Sequence, residues 1–173
     1  MPEPREHADD RGSIESILRN IPGFRGYLEK EYRRQSDGLA RNWLADRLEE
    51  GKIGLDNWGR LLVDAGHIDA LPQIDRLRSR TDKVISRIKG AVHGYSGFFD
   101  LVQVDEDLLD SVYEHDISTI SEVDDFVESV QSHVDVGESP AQALSELLGQ
   151  LDAIEKRIDE RGEILAGLGP DRL

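Results

Sequence analysis

An all-α fold, an antiparallel four-helix bundle with short additional helices, is what this sequence predicts. Two long C-terminal segments space their apolar residues by alternating fours and threes, the period of helices that wind against each other. No segment alternates apolar and polar residues with period two, so no strand is expected. The six prolines, at 2, 4, 22, 72, 140 and 170, punctuate the chain and leave the long periodic segments uninterrupted.

The elements follow in order. Residues 1–12, "MPEPREHADDRG", are charged and polar with no apolar core of a secretory signal. They read as a flexible tail, and residues 13–173 read as one helical-bundle domain. Ser13 is placed to cap a short helix, "SIESILRN". Pro22 then opens a long helix over 22–50, with Leu28, Tyr32, Leu39, Trp43 and Leu48 on its apolar side. Gly51 and Gly54 are expected to stop it, and a short helix over 55–65 is expected to end at Gly66. Asp69 or a neighbour caps the next helix, which has Pro72 in its first turn and runs to about Lys89. It carries Ile74, Leu77, Thr81, Val84 and Ile88 at helical spacing. Beyond the glycine-rich stretch "HGYSGFFD", Asp105 caps a helix to about His133. After "VDVGES", Ser139 caps a last helix that has Pro140 at its first position and runs to about Leu168.

Those last two helices, about 105–133 and 139–168, predict a coiled-coil-like hairpin. One seam reads Leu109, Tyr113, Asp116, Ile120, Val123, Val127, Val130, Val134. The other reads Leu144, Leu147, Leu151, Ile154, Ile158, Arg161, Leu165, Leu168. A connection of about five residues makes the pair antiparallel. Each seam has one charged interruption, Asp116 and Arg161. A turn near 136 sets Asp116 opposite Ile158 and Arg161 opposite Tyr113, which brings the two charges within one helical turn. A buried ion pair joining Asp116 to Arg157 or Arg161 is therefore expected, fixing register at some cost in stability.

Composition narrows the function classes. The net charge is −15, with 20 Asp and 16 Glu against 16 Arg and 5 Lys. That charge opposes docking on phosphate backbones, so no nucleic-acid partner is expected, and it opposes anionic lipid as well. No run approaches the roughly 18 apolar residues of a membrane span. The absence of cysteine excludes disulfides, thiolate nucleophiles and cysteine-ligated zinc, and fits a cytoplasmic protein. The most basic segment, "RLRSRTDKVISRIK", puts Arg76, Arg80, Lys83 and Arg87 on one helical face. Pairing with acidic neighbours within the chain is its expected use.

No catalytic set emerges. A di-metal bundle needs Glu-x-x-His on two helices, yet Val112 and Val130 stand three residues before His115 and His133. Asp64 precedes His67 at that spacing once only. Ser96 lies between glycines but follows a helix, where a nucleophile elbow needs a strand. No metal and no cofactor are expected.

The chain has ten aromatics, two Trp, four Tyr and four Phe, and two short segments hold half of them. "GFRGY" carries Phe24 and Tyr27, and "GYSGFF" carries Tyr95, Phe98 and Phe99. If the helices alternate in direction, both segments fall at one end of the bundle. There they either close the core or offer a docking patch. "IPGFRGYLEKEYRR" and "HGYSGFFD" together resemble patterns of a family of bacterial all-helical proteins of no known activity, in patches over roughly 21–115. The resemblance implies that the two segments belong together and implies no activity, ligand or site residue.

Three functions compete. The first is a non-enzymatic interaction or assembly module with a protein partner or self-association, working through Phe24, Tyr27, Tyr95, Phe98 and Phe99. The second is a small-ligand-binding or enzymatic bundle with a polar site around Asp116, Arg161 and His115. The third is a peripheral accessory of a membrane complex using Phe98 and Phe99 as a wedge.

Overall fold

A computed structural model of the chain describes residues 33–90, 106–132 and 139–165. These residues form four long helices and no strand. They are α1 (Arg33–Asp64), α2 (Leu71–Gly90), α3 (Glu106–Ser132) and α4 (Pro140–Leu165), with a short 3-10 helix (Ile68–Ala70) leading into α2. The N-terminal tail, the capping of a helix by Ser13 and the stretch 22–32 lie outside the described residues.

The main departure from the sequence reading is α1. It runs unbroken through Gly51 and Gly54, where a stop was expected, and absorbs the short helix assigned to 55–65. The buried residues Ala40, Leu44, Leu48, Gly51, Leu55, Trp58 and Leu62 show why. They continue one stripe spaced by fours and threes, provided the glycine is counted as a helical residue. Both glycines lie where α1 crosses α3. A Cβ on Gly51 would stand 3.2 Å from Val127 Cγ2, and one on Gly54 only 2.7 Å from Val130 Cγ1. The missing side chains let two backbones approach, and the gain in packing outweighs the roughly 1 kcal/mol of helix propensity lost at each glycine.

The helix ends at Gly66, as read. Its φ of +83° is a left-handed conformation that favours glycine. The His67 N–H donates to the Leu62 carbonyl at 2.8 Å and the Gly66 N–H to the Val63 carbonyl at 3.0 Å, a Schellman closure. At the start of α4, the Ser139 carbonyl accepts from the N–H groups of Gln142 and Ala143.

Side-chain pairs define how the helices lie. Between α1 and α2, Lys52 meets Asp82 at 2.6 Å and Asp56 meets Arg78 at 2.6 Å, so one helix rises as the other falls. Between α3 and α4, Asp116 meets Arg161, Glu122 meets Arg157 and Ser129 meets Gln150, again in opposite directions. Across the hairpins the sense is parallel. Arg47 meets Asp124 and Gly54 abuts Val130, while Arg80 meets Asp152 and Arg87 meets Asp159 further along both chains. The close-packed neighbours are therefore α1–α2, α3–α4, α1–α3 and α2–α4. Two antiparallel hairpins lie side by side with like directions touching.

The core between them is apolar for most of its length. Leu48, Leu55, Leu77, Val84, Ile120, Val123, Phe126, Val127, Leu144, Leu147, Leu151 and Ile154 are all at most 1% exposed. Trp58 and Leu62 extend it towards the Gly66 turn. Each such side chain contributes roughly 1.5–3 kcal/mol on burial. The seam residues of both C-terminal helices are buried wherever they are described, except Ile158 and Arg161, which are partly buried.

Candidate functional site

The helices give the bundle two unlike ends. At one end α1 and α3 begin and α2 and α4 finish, near Arg33, Gly90, Glu106 and Leu165. The core changes character there. Of the five buried polar or charged residues among those described, Arg41, His115, Asp116 and Thr119 lie at this end, and only Thr81 lies elsewhere. The hydroxyl of Thr81 donates to the Leu77 carbonyl, and that of Thr119 to the His115 carbonyl, both at 2.9 Å. Each threonine is thereby satisfied within its own helix.

Asp116 and Arg161 form the centre of this polar layer. Arg161 Nε donates to Asp116 Oδ1 at 2.7 Å, and Nη2 donates to Oδ2 at 3.1 Å, a two-pronged pair. The side chains are 7% and 14% exposed, so little water screens them. Arg157, the other partner open to Asp116 on sequence grounds, turns to Glu122 at 2.9 Å and to Glu160 at 3.7 Å. His115 is buried beside the pair. Its Nδ1 stands 3.7 Å from Asp116 Oδ1 and its Nε2 stands 3.9 Å from Glu160 Oε2. Neither nitrogen is within hydrogen-bond distance of a partner. Glu160 itself has its carboxyl held below the ordinary range by a hydrogen bond from Lys156. Partial desolvation opposes this, and the charges of Lys156, Arg157 and His115 add to it.

Next to the pair lies a cavity of ≈ 50 Å³ to which every helix contributes. Ala40, Leu44, Ile88, Ile120 and Ile158 supply apolar wall, Thr119 a hydroxyl, and Arg41, Arg87, Arg157, Arg161 and Asp116 charge. Four of its eleven lining residues are arginine and one is acidic. Arg87 and Arg157 have side chains 34% and 37% exposed, so the lining runs from the buried pair out to solvent.

Arg41, Thr119 and Arg87 are members of the site that sequence reasoning missed. For Arg41 a signal existed, because it stands four residues before Ala45 and seven before Leu48, both fully buried. Arg87 was read as part of a basic face and does pair with the acidic surface of α4, as does Arg80. It also borders the cavity.

Phe24, Tyr27, Tyr95, Phe98 and Phe99 lie outside the described residues. The described parts of α1, α2 and α3 start or stop at Arg33, Gly90 and Glu106, all at the polar end. Ser96 and His133 also fall outside. Among the described residues, no three His, Asp or Glu side chains are grouped to hold a metal ion, and no helix is long and apolar enough to cross a membrane.

At the other end a shallower concavity of ≈ 380 Å³ lies between α1 and α2 over Leu55, Gly59, Leu71 and Ile74, rimmed by Asp56, Arg60, Asp75 and Arg78. Ile53, Val63 and Ile68 are exposed. No family model, no curated protein and no solved structure matches the chain, so its function is argued from these residues and their arrangement.

Proposed function

We propose that this chain is a non-enzymatic helical interaction module that works through the end where α1 and α3 begin. Its partner is a protein, the simplest case being a second copy of itself, and its proposed compartment is the cytoplasm. The observation that supports this reading is the polar layer. A bundle that needed only stability would continue its leucine and valine core to both ends, because replacing a buried ion pair with apolar residues is often neutral or stabilising. Here the charged residues gather at the end where α1 and α3 begin and α2 finishes, the end to which the sequence reading assigns both aromatic segments. Light scattering over a wide concentration range tests it, on the wild type and on Phe98→Ser with Phe99→Ser. The expected result is a mass that rises with concentration in the wild type and not in the variant, with the melting temperature little changed. A large fall in melting temperature with no change in mass would make the aromatics a core plug and overturn the reading.

A second reading, a small-ligand-binding bundle around Asp116, Arg161 and His115, is favoured by a different observation. The cavity adjoins that pair and is lined by all four helices.

A further inference from the structure

We propose that the outer face of α1 pairs with the same face of a second copy of this chain, in an antiparallel contact centred at the level of Trp58. This contact lies away from the polar end and is independent of docking there. Two kinds of contact on one chain build extended assemblies in place of closed dimers. The spacing, exposure and charge of one stripe of α1 carry the inference.

Counted from Ile53, the residues Asp56, Arg60 and Val63 follow at intervals of three, four and three, which sets all four on one stripe of the helix. None belongs to the core. Ile53 and Val63 are 61% and 48% exposed, Arg60 is exposed and Asp56 half-buried. The large apolar side chains exposed among the described residues, Ile53, Leu61, Val63 and Ile68, all fall in this part of the chain. Beside the stripe opens the hollow of ≈ 380 Å³ between α1 and α2, over Leu71, Ile74 and Gly59. Gly59 has no side chain to hold a second helix away.

The stripe is complementary to itself. In an antiparallel pair of copies, one register brings Ile53 against Val63 of the second copy and Asp56 against its Arg60. Each contact then occurs twice about a two-fold axis. Apolar side chains meet apolar ones and acid meets base, whereas a parallel pair would set Asp56 on Asp56 and Arg60 on Arg60. Arg60 is short of an acid in the single chain. It donates to Asn57 Oδ1 at 2.9 Å and to the Asp56 carbonyl at 3.4 Å, and among the described residues it has no ion pair with a carboxylate. Asp56 is held by Arg78 at 2.6 Å, and a carboxylate accepts from more than one cation. The contact spans about three helical turns and belongs to the weak, transient class, and the charge of −15 on each copy opposes it. By itself it leaves the mean mass in solution that of a single chain, so covalent trapping is the way to read it.

The chain has no cysteine, so introduced ones report the register without background. Ile53→Cys and Val63→Cys are made as separate full-length variants and oxidised alone and mixed, at roughly 0.15 M salt to screen the net charge. The expected result is a disulfide-linked dimer in the mixture and little in either variant alone. Two copies of residue 53, like two copies of residue 63, stand about 15 Å apart along the axis in this register, beyond the reach of a disulfide. Arg60→Glu added to both variants is expected to cut the yield about tenfold, because two attractive contacts become like-charge ones, with the melting temperature unchanged. Phe98→Ser with Phe99→Ser added to both is expected to leave the yield as it was, and a yield lost with those changes would place the contact at the polar end and overturn the proposal. Equal cross-linking of the single variants and the mixture would mean collision or parallel pairing and overturn it too, as would a mixture that forms no dimer or a yield indifferent to Arg60→Glu.

Discussion

At the residue scale the Asp116–Arg161 pair is the clearest case of a contact whose energy depends on what is removed. The favourable attraction of two part-buried charges is offset by the water each gives up, so the pair as a whole adds little. Removing one partner leaves the other desolvated. Arg161→Leu is therefore expected to lower unfolding free energy by about 3 kcal/mol, and a second change, Asp116→Leu, to restore most of it. Urea denaturation of the two single variants and the double variant checks this, and losses that simply add would refute the pairing. Arg157 offers the contrast. It and Glu122 have side chains 37% and 30% exposed, so Arg157→Ala is expected to cost only about 0.5–1 kcal/mol. The seam spacing made the Asp116 site legible, since one acidic and one basic interruption in facing helices fall within a turn of each other. It left two arginines in contention, because Arg157 and Arg161 are one turn apart and a hairpin's register is read from sequence to no better than a turn. Arg41 was illegible for another reason: an arginine beside an apolar stripe looks the same whether it snorkels outward or turns in.

At the scale of the element, α1 shows what periodicity cannot distinguish. A glycine that ends a helix and a glycine that lets two helices touch are the same residue in sequence, and the difference lies in the neighbour. Gly66 has open space and a positive φ, while Gly54 has Val130 against it. Gly54→Ala should gain helix propensity yet overpack the crossing, for a net loss of about 1–3 kcal/mol. Gly149 in α4 has open space where a Cβ would stand. Gly149→Ala is expected to stabilise by about 0.5–1 kcal/mol. Thermal melts of the two variants should move in opposite directions. The helices α2, α3 and α4 were legible because their buried faces hold branched apolar residues at helical spacing, interrupted by few polar ones such as Thr81, Asp116 and Arg161. In α1 the stripe passes through alanines and glycines, which carry almost no hydropathy signal, so half of it was read as a separate helix.

At the scale of the whole molecule, each of the four close interfaces is tied by at least one carboxylate–cation pair, in a chain with a large excess of carboxylates. Acid therefore acts in two opposed ways. As pH falls from 7 towards the isoelectric point near 4.7, the net charge of −15 is titrated away and self-repulsion weakens, which favours the compact state. Protonating a carboxylate whose charged form the fold stabilises works the other way. Glu160 is the case with a definite direction: Lys156 holds its carboxyl below the ordinary range, so its proton affinity is lower folded than unfolded. The folded state then binds fewer protons at this site, and the stabilisation it gives is present at neutral pH and lost as pH falls through the carboxylate range. With Glu160 34% exposed the size of this one contribution is modest, about 0.3–0.5 kcal/mol for an exposed pair four residues apart. Urea midpoints across pH 3 to 8 test this. The Lys156→Ala curve should lie below that of the wild type at neutral pH and merge with it in acid, once Glu160 is protonated in both. A constant gap down to the lowest pH would mean that Lys156 stabilises α4 by its packing alone and that its charge on Glu160 contributes nothing.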